Sequence, residues 1–261
     1  MQATGPAARN GVGNDPSLHS EGAGSPSVRS ADGMTQVPGG RLATRPLHFF
    51  WLADCSGSMA ADGKMEALNN AIREALPHLN DVAEENPYAS LLVRAIAFST
   101  GVRWHIEQPT PVADLHWRDL EAGGFTDLGA ALTELATQLR VPPMEQRALP
   151  PAIVLISDGQ PTDDFDVGLE ELLATPWGER AIRIGVGIGR DADAEMLKRF
   201  IGDNELEPIT ANDPEQLVQM IRWASTVATR MASVPTSQRA RGPVVPVPRV
   251  ATAQPDDGEP W

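Results

Sequence analysis

The chain has 261 residues, 41% of them apolar, which suffices for one medium-sized domain with a buried core. The formal net charge of −14 disfavours binding to the phosphate backbone of nucleic acids and favours a cation or a basic protein surface as partner. An acidic surface that only keeps the protein soluble explains the charge equally well.

The cellular location is predicted from cysteine usage and hydropathy. Cys55 is the single cysteine of the chain, which excludes an internal disulfide and favours a reducing compartment. The sequence has no run of about 18 apolar residues that predicts a membrane span. The first residues also lack the basic start and apolar run of a secretory signal. We therefore expect a cytoplasmic protein with no membrane partner.

Composition divides the chain into three parts. Residues 1–45 are rich in Gly, Ser, Pro and Ala and predict a disordered leader. Residues 46–232 form the predicted folded body. Residues 233–261 are rich in proline and predict a flexible tail, with a short docking segment such as VVPVPRV as the alternative.

The body opens with a strand and a helix. His48–Ala53 is a mostly apolar run ending at Asp54, which is typical of a central parallel strand that is buried on both faces. An apolar stripe at helical spacing predicts a helix over Lys64–Leu76. Pro77 is expected to end that helix, because proline lacks the N–H that the next helical hydrogen bond requires.

A hairpin and a second helix are predicted next. Leu91–Phe98 and Val102–Ile106 are interpreted as strands of an antiparallel hairpin at the sheet edge, joined by a turn at Ser99–Gly101. Thr126 is predicted to open a helix. Its inward-facing positions are Leu128, Ala131, Leu132, Leu135 and Leu139.

The second half of the body alternates strands with helices, and Asp213 is the expected N-cap of the last helix. This alternation predicts a doubly wound α/β fold with a mostly parallel sheet, one antiparallel edge strand and helices on both faces. The predicted strands are Ala152–Ile156, Ile182–Ile188 and Pro208–Thr210, and the predicted helices are Val167–Leu173, Ala194–Ile201 and Pro214–Met231.

Three polar loops are expected at the carboxyl edge of this sheet, where open α/β sheets bind their ligands. The first loop is Asp54–Met59, the second is Gly123–Asp127 and the third is Ser157–Asp164. They supply carboxylates and hydroxyls without a His or thiolate cluster. Such hard oxygen donors suit Mg²⁺, Mn²⁺ or Ca²⁺ better than Zn²⁺ or copper.

The spacing within the first loop supports a metal site. Asp54 stands at the strand end, and Ser56 and Ser58 alternate with residues that can point away, so that three oxygens can face one point. Gly57 permits the tight turn between them.

The string Asp54-x-Ser56-x-Ser58, with Thr126 after a Gly-Gly-x sequence and Asp158 in Ile-Ser-Asp-Gly, resembles the metal-ion-dependent adhesion site of von Willebrand A domains. The resemblance covers residues 46–232. It implies that Ser56, Ser58 and Thr126 ligate the metal, while Asp54 and Asp158 act largely through bound water. It further implies that a Glu or Asp of a partner protein takes the sixth position.

Within that family, three segments look most like the bacterial tellurium-resistance class, namely Leu52–Met59, Lys64–Asn69 and Ile156–Asp163. This similarity implies an adaptor working beside a kinase and a phosphatase in stress response or defence, and service to an AAA-type ATPase is the alternative. Two residues depart from the commoner pattern. Cys55 replaces Thr, Ser or Val, and Phe125 separates Gly124 from Thr126.

An enzyme is the competing hypothesis. Asp54 and Asp158 at strand ends also suit Mg²⁺-dependent chemistry on phosphate esters. However, neither Ser56 nor Ser58 has an identifiable His partner, and the first loop lacks the paired Asp-x-Asp of the aspartyl-phosphate hydrolases. We therefore expect a binding module without catalytic residues.

Other polar residues near the loops are given structural roles. The acids Asp127, Asp163 and Asp164 are expected to cap helices or form a solvated rim. Cys55 is expected to be buried and inert, because the arginine of a Cys-x₅-Arg phosphatase loop is replaced by Ala61.

Overall fold

A computed structural model describes residues 44–202 and 206–233 of the chain. The described part contains a six-stranded sheet in the order β3-β2-β1-β4-β5-β6. All neighbouring strands pair in parallel except β2 and β3, which pair antiparallel at one edge. The strands are β1 (Arg45–Asp54), β2 (Ala89–Ser99), β3 (Gly101–Pro111), β4 (Ala152–Ser157), β5 (Ile182–Ile188) and β6 (Ile209–Ala211).

Helices cover both faces of the sheet. Alternate residues of β1 point to opposite faces, so that Phe49 and Trp51 join the core under α1 and α5, whereas Phe50 and Leu52 join the core under α2, α3 and α4. The helices are α1 (Lys64–Glu84), α2 (Leu128–Gln138), α3 (Phe165–Leu173), α4 (Ala194–Ile201) and α5 (Pro214–Ser233). The predicted doubly wound α/β fold with one antiparallel edge strand is confirmed.

The strand order fixes where a ligand site can form. From β1 the chain moves outward to β2 and β3, and it then returns to the other side of β1 with β4. The carboxyl ends of β1 and β4 therefore flank the point where the strand order reverses, and a crevice opens there. Asp54 ends β1, and Asp158 directly follows β4.

The predicted end of the first helix was wrong. The helix α1 continues through Pro77 to Glu84. Pro77 itself is exposed, while Leu79 and Val82 beyond it are buried where α1 packs against α5. Burial of this last segment stabilises the helix by more than the hydrogen bond that proline removes. Packing against α5 therefore decides where α1 ends, and the proline in the sequence does not.

Several other boundaries differ from the expectation by one to three residues, and the end of β3 differs by five. The strand β3 extends to Pro111, five residues beyond the predicted end at Ile106. The prediction ended too early because an exposed edge strand carries polar residues and lacks the apolar run that marks a buried strand. Thr126 lies two residues before the first residue of α2, Leu128.

The side chain of Asp213 accepts a hydrogen bond from the Gln216 amide at 2.8 Å, as expected of an N-cap.

The helices α2 and α3 approach closely through two glycines. A Cβ atom on Gly168 would lie 2.2 Å from the carbonyl oxygen of Gly129, and a Cβ atom on Gly129 would lie 2.3 Å from that of Asp164. Only residues without a side chain fit this crossing.

Some sequence predictions fall outside the described residues. The leader and the tail correspond almost wholly to residues 1–43 and 234–261. Within the described residues, no helix is long and apolar enough to cross a membrane.

Candidate functional site

Asp54 is buried at the carboxyl end of β1, and both of its carboxylate oxygens accept hydrogen bonds. The Ser56 amide donates to Oδ1 at 2.8 Å, and the Ser157 hydroxyl donates to Oδ2 at 2.6 Å. Burial raises the pKa of Asp54, the hydrogen bonds from Ser157 and Ser56 oppose that rise, and the charge of Asp158 adds to it. The carboxylate is thus rigidly held beside a second acid.

The two serines of the first loop connect to Asp158. The Oγ atoms of Ser56 and Ser58 lie 2.9 Å apart, and the Ser58 hydroxyl donates to Oδ1 of Asp158 at 2.7 Å. Ser56 is buried and Ser58 is exposed, so the chain of oxygens runs from the interior to the surface. Three predicted site residues from two loops therefore share one hydrogen-bonded cluster.

Lys64 is a member of this cluster that the sequence analysis missed. Its ammonium donates to Oδ2 of Asp158 at 2.9 Å, and the exposed fractions of the two side chains are only 8% and 0%. Lys64 cancels the charge of Asp158, whereas among the described ion pairs none includes Asp54. A lysine in the first turn of a helix is ordinarily solvent-exposed, so only the contact of Lys64 with the loop after β4 in the folded chain reveals this role.

The second loop is tied to the first by its backbone. The Gly57 amide donates to the Gly124 carbonyl at 3.0 Å, and the Gly123 amide donates to the Cys55 carbonyl at 2.8 Å. Gly124 has a φ of +88°, and a Cβ atom there would lie 2.5 Å from Oγ1 of Thr100. The loop therefore requires glycine at this position. It reaches Thr126 despite the extra Phe125, whose side chain faces solvent.

Thr126 is joined to the third loop through Thr162. The Thr126 amide donates to Oγ1 of Thr162 at 2.9 Å, and the Thr162 amide donates to the Thr126 carbonyl at 2.9 Å. Thr126 is buried, like Asp54 and Asp158. The structure thus brings the second loop against the third, although no direct side-chain hydrogen bond from Thr126 to the other four residues is described.

The spacing of three candidate oxygens is compatible both with ordinary hydrogen bonds and with a small divalent cation. Octahedral Mg²⁺ holds its ligands at about 2.1 Å, which places adjacent ligand oxygens about 3 Å apart. The Ser56–Ser58 and Ser58–Asp158 oxygen separations of 2.9 and 2.7 Å are close to that spacing. In the part of the chain that the structure describes, no three His, Cys, Asp or Glu side chains form a metal-binding group. Any ion here would accordingly depend on hydroxyls and water as well as on the two acids.

Of the three neighbouring acids that were expected to cap helices or form a solvated rim, Asp163 and Asp164 cap helices, whereas Asp127 binds the turn between β2 and β3. Asp163 accepts from the amides of Gly129 and Ala130 at the start of α2, at 2.8 and 2.7 Å. Asp164 accepts from the Val167 amide at the start of α3, and Asp127 accepts from the Gly101 amide. Their lone pairs stabilise backbone amides at the loop ends.

Cys55 is buried, and its environment makes it unreactive. Burial raises the pKa of its thiol to about 12, partly opposed by the charge of Arg103. The reactive thiolate is therefore scarce at neutral pH.

Comparison with known proteins defines the family. The family model for the von Willebrand factor type A domain matches residues 50–223, well over half of the chain. The chain belongs to the von Willebrand factor type A domain family. No curated protein matched it.

Solved structures share the fold at low identity. A von Willebrand factor type A protein from Catenulispora acidiphila is 20% identical with a TM-score of 0.52, and the alignment covers 72% of this chain and 43% of that one. The ArnB paralog VWA2 from Sulfolobus acidocaldarius is 19% identical with a TM-score of 0.50, over 69% and 45% of the two chains.

A third structure carries a metal. Proximal thread matrix protein 1 from the mussel byssus, solved with a zinc-occupied MIDAS motif, is 16% identical with a TM-score of 0.53, over 72% of this chain and 46% of that one. The present chain spans less than half the length of each of these three proteins.

Proposed function

We propose that this chain is a metal-dependent protein-interaction module. In this proposal Asp54, Ser56, Ser58, Thr126 and Asp158 hold a divalent cation, and a carboxylate of a partner protein completes its coordination. The hydrogen-bonded cluster of Ser56, Ser58 and Asp158 carries the proposal, because it places oxygens from two loops at ligand-like spacing. The metal-bound motif of the mussel byssus protein supports it by analogy.

The charge balance of the site suits recruitment of an external carboxylate. Lys64 already neutralises Asp158, so Asp54 supplies the negative charge that is left for a dication. A bound dication would then keep an excess positive charge, which favours an added carboxylate ligand. The residues of the chain thereby orient the cation and leave the last ligand to the partner.

Mg²⁺ or Mn²⁺ is proposed as the ion because all five candidate donors are carboxylate or hydroxyl oxygens. Ca²⁺ is the other hard cation that these donors suit. We further propose a cytoplasmic role as an adaptor in a bacterial stress or defence system. A kinase and phosphatase pair, or an AAA-type ATPase, are the partners that the tellurium-resistance resemblance suggests.

Isothermal titration with Mg²⁺ and Mn²⁺ tests the site. Wild-type protein is expected to bind one ion, and Asp54→Ala is expected to lose that binding. Asp164→Ala is the matched control, because Asp164 lies in the same group of loops but only caps α3. Equal affinity in wild type and Asp54→Ala would rule out the metal assignment. A pull-down with and without EDTA then tests whether partner binding depends on the ion.

A phosphohydrolase remains the second candidate function. Lys64 gives it one supporting observation, since an ammonium beside the strand-end acid Asp158 can neutralise a phosphate. Against it, Lys64 is already paired with Asp158 and almost fully buried. Mg²⁺-dependent turnover of a phosphoester by wild type, absent in Asp54→Ala and kept in Asp164→Ala, would favour the enzyme.

A further inference from the structure

Phe125 is an exposed aromatic residue at the rim of the candidate site. Its side chain is 65% exposed, more than any other large apolar residue in the described part of the chain, and it directly precedes Thr126. Tyr88 is similarly exposed at 61%, but it lies beside the amino ends of β1 and β2, at the opposite edge of the sheet. A single exposed apolar side chain is ordinary on a protein surface, and what distinguishes Phe125 is its position next to Thr126.

The exposure of Phe125 is imposed by its backbone. The Phe125 amide donates to Oγ1 of Thr100 at 3.0 Å, and the carbonyl of the preceding Gly124 accepts a hydrogen bond from the Gly57 amide at 3.0 Å. After it, the Asp127 amide donates to the Ser99 carbonyl at 3.0 Å. The main chain is thus anchored on both sides of Phe125, which fixes the direction in which its side chain leaves the backbone.

The surrounding charge limits what a partner can carry. The chain has a net charge of −14, and Asp62, Asp127, Asp163 and Asp164 lie in the loops at this edge of the sheet. A segment with several acidic residues would be repelled. A lone carboxylate flanked by apolar residues meets less repulsion and can also cover Phe125.

We propose that Phe125 is a specificity contact, which selects a partner segment bearing a large apolar side chain one or two positions from the carboxylate that enters the site. Phe125 and Thr126 are consecutive residues, with Cα atoms about 3.8 Å apart. One or two residues of an extended partner span a comparable distance. This inference rests on the proposed metal-dependent binding of a carboxylate.

Selection from a displayed library of random short peptides tests the inference. The full chain is immobilised with Mg²⁺, and bound peptides are eluted with EDTA. Wild type is expected to enrich an Asp or Glu adjacent to a large apolar residue. Phe125→Ser is expected to keep the acid and lose the apolar preference, whereas Phe125→Leu keeps both.

Tyr88→Ser is the matched control, since it removes a similarly exposed aromatic from the far edge of the sheet. Its selected peptides should equal those of wild type. A synthetic peptide from the wild-type pool should bind Phe125→Ser about tenfold more weakly, as expected for partial loss of one buried aromatic contact. Unchanged melting temperatures would show that the variants are folded.

The outcomes separate the two proposals. If Phe125→Ser enriches the same acidic and apolar pair as wild type, the specificity role is overturned while metal-dependent carboxylate binding stands. If no acid is enriched in the EDTA eluate of wild type, the proposed function fails, and the inference that rests on it fails too.

Discussion

The Nζ atom of Lys64 lies 2.9 Å from Oδ2 of Asp158, and both side chains are buried. A buried pair of this kind stabilises little by itself, but removal of one partner leaves an uncompensated charge in the interior. The pair therefore links the stability of the fold to the charge balance of the candidate metal site.

Lys64→Met should destabilise the metal-free protein by about 3–5 kcal/mol, because Asp158 loses its buried counter-charge. Added Mg²⁺ should recover much of this loss, since the cation replaces the missing positive charge. Chemical unfolding in EDTA and in Mg²⁺ measures both values. Lys198→Met, which breaks the exposed pair with Glu207, should change stability by less than about 1 kcal/mol. An equal loss in EDTA and Mg²⁺ would make Lys64 purely structural.

Asp54→Asn should abolish the stabilisation that Mg²⁺ gives while raising the stability of the metal-free protein. Burial raises the pKa of Asp54 above its ordinary 3.8, so the ionised carboxylate is less favourable in the folded chain than in the unfolded chain. The difference in free energy of unfolding between Asp54→Asn and wild type is therefore absent below pH 3.8. It grows as the pH rises to the elevated pKa of Asp54 in the folded chain, and it is constant above that pKa. Melting temperatures measured in EDTA across pH check the sign, and a wild type that is more stable at neutral pH would contradict it.

Gly168→Ala should destabilise the protein by about 1–3 kcal/mol, although alanine favours helices. The added methyl group would lie 2.2 Å from the carbonyl oxygen of Gly129, so α2 and α3 would have to separate. Glu171→Ala, on the exposed side of α3, should stay within about 0.5 kcal/mol of wild type. Urea unfolding of the three proteins measures the differences, and equal midpoints would show that the crossing adapts.

Pro77→Ala should stabilise the protein by about 2 kcal/mol. The alanine restores an N–H donor inside α1, and this gain exceeds the loss of rigidity in the unfolded chain. Glu74→Ala, another exposed position of α1, is the control with little expected effect. Helical circular dichroism and urea unfolding check the result, and a less stable variant would mean that α1 is built around the proline.

The sequence predicted the fold well because buried strands and amphipathic helices leave strong periodic patterns. The strand β5 and the helix α4 have the predicted bounds, since both carry continuous apolar faces. The extension of α1 past Pro77 depends on packing against α5, which no local pattern encodes. The length of β3 was also missed, because an exposed edge strand has no apolar run.

The candidate site was predicted less completely. The residue types and order pointed to the three loops, and the structure joins Ser58 directly to Asp158 and Ser56 to Asp158 through Ser58. The roles of Lys64 and Ser157 depend on which strand ends are neighbours, and a motif in one loop carries no such information. Their contacts with Asp158 and Asp54 follow from the position of β4 beside β1.

The cap that Asp163 forms on α2 has a mechanical consequence. Asp163 accepts hydrogen bonds from the start of α2, and Thr162 accepts one from Thr126. These bonds hold the loop after β4 and the start of α2 together. At Gly129 and Gly168 the backbones of α2 and α3 then pack together with no room for a side chain between them. We therefore expect that a movement of the loops at the carboxyl edge of the sheet would displace α3 as well.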